Sequence, residues 1–254
     1  MKIIKLSSAL AIAASTVLMS AGTSAHASGD AILNNTASIT NFGFRLVDLD
    51  LNDGVAPTVA FTNVFSETFS QACECGGGVF DGANYTYEYP SNIDTSSVYD
   101  NSETRSSISP LQYVTSGFLT GLGYFRSIAL TSMDFKLSAN TKLVFFGTAS
   151  ASVTGGYDDH NPGYYNGAGV NMAIENNSYG RFISSLQSGA TNSFTENFEV
   201  EYANNLARAF DGHADIGTGA SAHVSEVPEP TSYLMLGAGL LLIGGVARRR
   251  AQRS

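Results

Sequence analysis

SFTENFEVEY, residues 193–202, decides the fold. Phe194, Phe198, Val200 and Tyr202 fall on one side of an extended chain, while Thr195, Asn197, Glu199 and Glu201 fall on the other. A period of two with one apolar and one wet side suits a strand whose sheet packs on a core by one face only. Residues 206–224 repeat the pattern, with Phe210, Ala214, Ile216, Ala220, Ala222 and Val224 sharing a side with Leu206. Asn204-Asn205 between the two segments predicts a hairpin turn, because Asn tolerates positive φ. Residues 142–154 alternate in the same way: Leu143, Phe145, Ala149, Ala151 and Val153 lie opposite Lys142, Thr148, Ser150, Ser152 and Thr154.

Away from these segments Phe, Tyr, Val, Ile and Thr are plentiful, Gly and Asn punctuate, and the central chain has no sustained apolar period of 3.6. The pattern predicts strands at 31–39, 42–51, 58–69, 85–89, 111–115, 122–137, 142–154, 169–175, 193–202 and 206–224. With no βαβ spacing, the expected fold is all-β, an antiparallel β-sandwich of jelly-roll type occupying residues 28–224.

Both ends differ from this core. Residues 1–27 hold Lys2 and Lys5, an apolar stretch from Leu6 to Met19, then Ala25-His26-Ala27: the charged, apolar and small-residue order of a secretory signal peptide. At the other end Val227-Pro228-Glu229-Pro230 precedes an uncharged apolar run at 231–247, and Arg248, Arg249, Arg250 and Arg253 follow. The prolines bias the backbone towards an extended, accessible tether. Seventeen residues at about 1.5 Å each just span a hydrocarbon core as a transmembrane helix. The arginines stop transfer and keep the end cytoplasmic.

At these residues the chain resembles the PEP-CTERM sorting signals of bacteria, over 225–254. The resemblance implies recognition by an exosortase, a membrane-embedded transpeptidase-like enzyme, cutting near the motif and release to the surface or matrix. FKLSANTKLVFFGTASASV from Phe135, FTENFEVEYANN from Phe194 and FGFRLVDLDLNDGVAPTVAF from Phe42 are similar, more loosely, to the extracellular β domain of such proteins, and imply no catalytic residues. The same C-terminal element also carries the label of an ice-binding protein C-terminal domain, which implies nothing about ice.

The whole chain has a formal charge of −9, but residues 28–227 hold seven basic against 21 acidic residues, a net −14. Such a surface repels nucleic acid phosphates and anionic lipid, so neither is an expected partner. It favours solubility and leaves divalent cations or basic partners open.

Four groups of residues invite chemistry. Asp48, Asp50 and Asp53, in Asp48-Leu49-Asp50-Leu51-Asn52-Asp53-Gly54, offer alternating carboxylates to calcium, although an EF-hand register fails at Asp53 and Val59. A strand ending in an Asn-Asp-Gly turn is the competing expectation. Asp211, His213 and Asp215 alternate onto one strand side, with His223 further along; they suit a metal, a base with an orienting acid, or a solvated sheet face. His160 sits in a Gly- and Tyr-rich loop that suits sugar hydroxyls or a simple connection. Cys73 and Cys75 are the only cysteines; in an oxidising exterior they are candidates for a disulfide that staples a loop, with pairing to another molecule as the rival.

No Gly-x-Ser-x-Gly and no His-Glu-x-x-His occurs, so no enzyme is expected and no cofactor beyond calcium. The leading expectation is an exported surface or matrix protein, non-enzymatic, anchored in the membrane only as a precursor and linked to exopolysaccharide or biofilm. A calcium-assisted carbohydrate-binding module is the alternative, weakened by the absence of Trp; a hydrolase using Asp211, His213 and Asp215 comes third.

Overall fold

Alternation along each segment, rather than local propensity, builds the structure. The computed structural model describes residues 32–73, 83–87, 92–99, 102–121, 123–155, 165–185 and 190–224. Among them are twelve strands: β1 Ile32–Asp48, β2 Val59–Cys73, β3 Ala83–Thr86, β4 Ile93–Tyr99, β5 Ser102–Ser109, β6 Gln112–Thr120, β7 Gly123–Leu137, β8 Thr141–Thr154, β9 Tyr165–Ile174, β10 Asn177–Ser184, β11 Thr191–Asn204 and β12 Phe210–Val224. They form two antiparallel six-stranded sheets, ordered β11-β8-β1-β6-β5-β4 and β10-β9-β12-β7-β2-β3. The sheets face each other strand over strand: β8 over β9, β1 over β12, β6 over β7, β4 over β2, and β11 over β10 at one edge. The expected sandwich is there; twelve strands exceed the eight of a jelly roll.

The inward side chains are those the alternation selected. Phe194, Phe198 and Val200 of β11, Leu143, Phe145, Ala149, Ala151 and Val153 of β8, and Ala214, Ile216, Ala220, Ala222 and Val224 of β12 are all buried. Two strands read as one where the sequence suggested a break or a single phase. In β1 the register shifts between Thr40 and Gly43, with Asn41 at φ 52, and in β2 between Thr62 and Phe65, with Asn63 at φ 51. Each bulge moves the apolar set from odd to even positions, from Ile39 to Phe42 and from Phe61 to Val64, so both halves of the strand still face the core. The expected strands 31–39 and 42–51 are therefore one.

The Asn204-Asn205 hairpin is not formed. β11 and β12 lie in different sheets, and the chain crosses the sandwich between them. Asn204 is buried at this corner: its amide donates to Ser138 O and Arg208 O, both at 2.9 Å, and its Oδ1 accepts from Leu206 N at 3.1 Å. A side chain that serves three backbone groups fixes a crossover as well as positive φ fixes a turn. Leu206 thus leaves the strand and is 47% exposed.

Strands β4, β5 and β10 were not expected. The first two face the core with Thr95, Ser97, Ser102, Thr104 and Ser106, all buried, against Ser66, Thr68 and Ser70 of β2 and Ser127 and Thr131 of β7. Thr95 and Ser106 reach hydroxyls across the gap, with Thr68–Thr95 at 2.7 Å and Ser70–Ser106 at 3.0 Å. Ser66 and Thr131 meet within their own sheet at 2.8 Å, and the buried Ser97 hydroxyl has no hydrogen-bond partner among the described residues.

Candidate functional site

β12 ends at Val224, held on one side by β7 to Gly123 and on the other by β9 as far as His223. Near the same end, Asn35 of β1 donates to Ser221 O of β12 at 2.8 Å. The start of β1 and the end of β12 therefore leave the sandwich at one pole, and loops 49–58, 138–140 and 205–209 occupy the other. The last described strand is thus paired on both sides. Val227, Pro228, Glu229 and Pro230, the apolar run 231–247 and Arg248, Arg249 and Arg250 lie outside the described residues, as do residues 1–27, Cys75 and His160. Among the described residues no helix is long and apolar enough to cross a membrane.

A cluster of ionisable and polar side chains surrounds His213. Its Nδ1 lies 2.8 Å from Asp134 Oδ1, and its Nε2 lies 3.3 Å from Asp215 Oδ1 and 3.2 Å from Ser132 Oγ. Its peptide N–H donates to Glu175 Oε1 at 2.7 Å, and Asn63 donates to the other Asp134 oxygen at 2.8 Å. Register explains the assembly, since His213 pairs with Asp134 and Asp215 with Ser132 across β12 and β7. Asp215 joins as expected. Asp211 is instead opposite Lys136, and His223 packs edge-on to Tyr124 with centroids 6.0 Å apart. Ser132 and Asp134 escaped sequence reasoning. Their alternation with Lys136 marks a wet strand side, but nothing local says that β7 lies beside β12.

Ser, His and Asp within reach of one another outline a nucleophile, its base and an orienting acid. The electrostatics do not follow. Burial of the His213 ring lowers its pKa, yet the hydrogen bonds and charges of Asp134 and Asp215 outweigh this and hold it above the ordinary value. A carboxylate at each nitrogen favours the protonated ring, in which both nitrogens donate and neither can accept the Ser132 proton. Ser132, Asp134 and Asp215 also sit within paired strands, where peptide N–H groups are committed to ladders rather than turned towards a developing oxyanion. The cluster is a clip between β7 and β12, extended by Asn63 to β2 and by Glu175 to the turn after β9.

The three aspartates of the calcium expectation turn towards backbone. Asp48 Oδ1 accepts from Asp50 N at 2.9 Å, Asp50 Oδ1 from Asn52 N at 3.1 Å and Asp53 Oδ1 from Val55 N at 2.7 Å. Asn140 donates to the second Asp53 oxygen at 2.8 Å, and these two bonds hold the Asp53 carboxyl below its usual range. Successive Asx turns account for the spacing. Among the described residues no group of three or more His, Cys, Asp or Glu is placed to hold a metal ion. Cys73 ends β2 buried, and burial pushes its thiol upward.

The comparisons with known proteins bear on the segment behind β12. The family model for the PEP-CTERM protein-sorting motif matches residues 226–251, which hold the Pro-Glu-Pro, the apolar run and Arg248–Arg250 together. No curated protein and no solved structure matches the chain. Such a motif implies an exosortase substrate, exported as a membrane-anchored precursor. Directly behind the strand that both neighbours hold, the chain carries a PEP-CTERM protein-sorting motif.

Proposed function

We propose that this is a cell-surface or matrix protein, cut by an exosortase near Val227–Pro230 and acting as a non-enzymatic structural or adhesive component linked to exopolysaccharide. The motif at 226–251 carries the proposal. In support, the motif follows directly on β12, the last described strand, which is paired along its length with β7. The acidic balance of residues 28–227 favours a soluble, extended life outside the cell and disfavours nucleic acid. Catalysis would need a free base, and the best candidate, His213, stands between two carboxylates. Calcium-assisted binding is the weaker alternative, because Asp48, Asp50 and Asp53 each serve a backbone N–H.

Fractionation of exporting cells tests this. The wild-type chain is expected in the surface or matrix fraction, shortened at its C-terminus by mass spectrometry, while the Pro228→Ala/Pro230→Ala variant accumulates uncut in the membrane. A wild-type chain in the matrix that still ends in the arginine cluster removes the exosortase, and a processed chain found only in the medium removes the matrix role.

A further inference from the structure

The two outer faces of the sandwich differ in kind. On the β10-β9-β12-β7-β2-β3 sheet the outward positions mix Phe65, Glu67, Leu130, Lys136 and Asp211 with the His213 clip. On the other sheet the outward positions of four adjacent strands form an uncharged field of short hydroxyls. Thr36, Ser38 and Thr40 of β1 align with Ser152, Ser150 and Thr148 of β8. Those three align in turn with Ser193, Thr195 and Asn197 of β11, and Ser116 and Val114 of β6 continue the first two rows on the far side. Strand spacing of about 4.8 Å and a repeat of about 6.8 Å along each strand make this a regular grid of donors and acceptors.

We propose that this face of β11, β8, β1 and β6 is a docking surface for a neutral polysaccharide chain. The inference deepens the exopolysaccharide link and rests on it for the biological partner. Charge selects the occupant. Residues 28–227 carry a net −14, yet these rows hold no charged side chain, and the charges at their end are paired with one another: Arg45 with Glu199 at 2.7 Å and Lys142 with Glu201 at 3.2 Å. Beyond β6 the row of Ser116 meets Arg105 of β5 and the row of Phe118 meets Glu103, one charge of each sign, so neither a polyanion nor a polycation finds a field of opposite charge on this face. A neutral polymer that presents hydroxyls finds, at every Ser and Thr, one donor and two acceptor lone pairs.

The field is also pre-ordered. Ser150 and Thr195 hydroxyls lie 2.9 Å apart, Thr148 donates to Asn197 Oδ1 at 2.9 Å, and Thr154 and Thr191 lie 3.2 Å apart. These contacts, with that of Ser150 Oγ to Phe194 O at 3.2 Å, restrict the rotamers, so less side-chain freedom is lost when a ligand binds. Phe118 of β6, aligned with Asn34 and 40% exposed, borders the field with an apolar ring against which the C–H face of a sugar can lie.

Affinity electrophoresis of the full chain, held in a detergent without a sugar headgroup, tests the assignment with hydroxyethyl cellulose and dextran as neutral polymers and alginate as the polyanion. Retardation by at least one neutral polymer and not by alginate is expected. Ser38→Glu/Ser150→Glu should weaken it at least about tenfold by placing unpaired charge under the ligand. Thr36→Ala/Ser152→Ala, which adds no charge, should weaken it by a smaller factor, and Asp211→Ser on the opposite face should leave it unchanged. Equal retardation of all variants, retardation by alginate, or none by either neutral polymer overturns the proposal. So does a wild-type dimer that the Ser38→Glu/Ser150→Glu variant converts to monomer with glycan binding unaltered, which gives the face to a second copy. None of these outcomes alters the fractionation result, so the docking face and the exosortase route fail separately.

Discussion

One half of the sandwich is filled with rings and the other with hydroxyls. Where β1, β8 and β6 meet the opposite sheet, Phe42 stacks on Phe145 at 5.7 Å with planes 7° apart, and Tyr113 meets Phe42 edge-on at 5.8 Å. Where β4 and β5 meet β2 and β7, Ser70, Ser106 and Ser127 form a chain with oxygens 3.0 and 2.8 Å apart. Both sets are buried. The first is stabilised by apolar area removed from water, and its phenylalanine rings need no hydrogen-bond partner. The second must first recover the hydrogen bonds its hydroxyls lose on burial. Ser70, Ser106 and Ser127 also reach Thr95 O, Phe69 O and Arg105 O at 3.1, 2.5 and 2.6 Å. A hydroxyl has one proton, so three protons are shared among these three carbonyl contacts and the two hydroxyl–hydroxyl contacts. Geometry alone overstates what this half contributes.

The largest expected effect lies among the rings. Phe145 is fully buried and in ring contact with Phe42, Phe44 and Phe61. Phe145→Ala should cost about 3–5 kcal/mol, from lost transfer energy and an unfilled cavity, read as a lower urea midpoint. A cost below about 1 kcal/mol would mean that the ring half is not the main source of stability and would break the comparison. In the hydroxyl half, Ser106→Ala should cost about 1 kcal/mol, because each remaining serine still has a carbonyl to donate to. Replacing Ser70, Ser106 and Ser127 together by Ala should cost less than the three single changes summed, since competition for protons disappears with the groups that compete. A sum exceeded by the triple variant would show instead a cooperative network.

The same contrast decides what could be read from the sequence. β8, β11 and β12 were legible because Phe, Leu, Val and Ala alternate with charged and hydroxyl residues, a signal that survives without knowing the fold. β4 and β5, IDTSSVY and SETRSSIS, place Thr and Ser on the inner side, and such runs ordinarily mark turns. The facing Ser66, Thr68 and Ser70 of β2 and Ser127 and Thr131 of β7 are what bury them, and that contact is tertiary. Asn204-Asn205 failed likewise, since turn chemistry does not say whether the chain returns to its own sheet or crosses to the other. Half of the His213 cluster was visible as His-x-Asp; Ser132 and Asp134 come from a strand some eighty residues earlier in sequence. The sorting motif needed none of this, because a protease and a membrane read it as a linear string.

The smallest expected effect lies at the joint where β7, whose inner side mixes Ser127 and Thr131 with Phe125, Ala129, Met133, Phe135 and Leu137, pairs with β12, lined inside by Ala214, Ile216, Thr218, Ala220 and Ala222. His213 clips the two from outside. Its folded pKa is raised above 6.5, so its contribution to stability is complete below that value, where folded and unfolded rings are both protonated, and is lost as pH rises through the folded pKa. The wild type should therefore lose stability relative to His213→Gln between about pH 6 and about pH 8. The ring and Asp134 are 44% and 46% exposed, so solvent screening keeps the difference below about 1 kcal/mol, and added salt should shrink it further. Urea midpoints of the two proteins across that range measure the slope. A slope of the opposite sign would require a neutral ring in the folded state, with a free nitrogen 3.2 Å from Ser132 Oγ. The joint would then hold a base beside a hydroxyl, and catalysis would return as the reading to test.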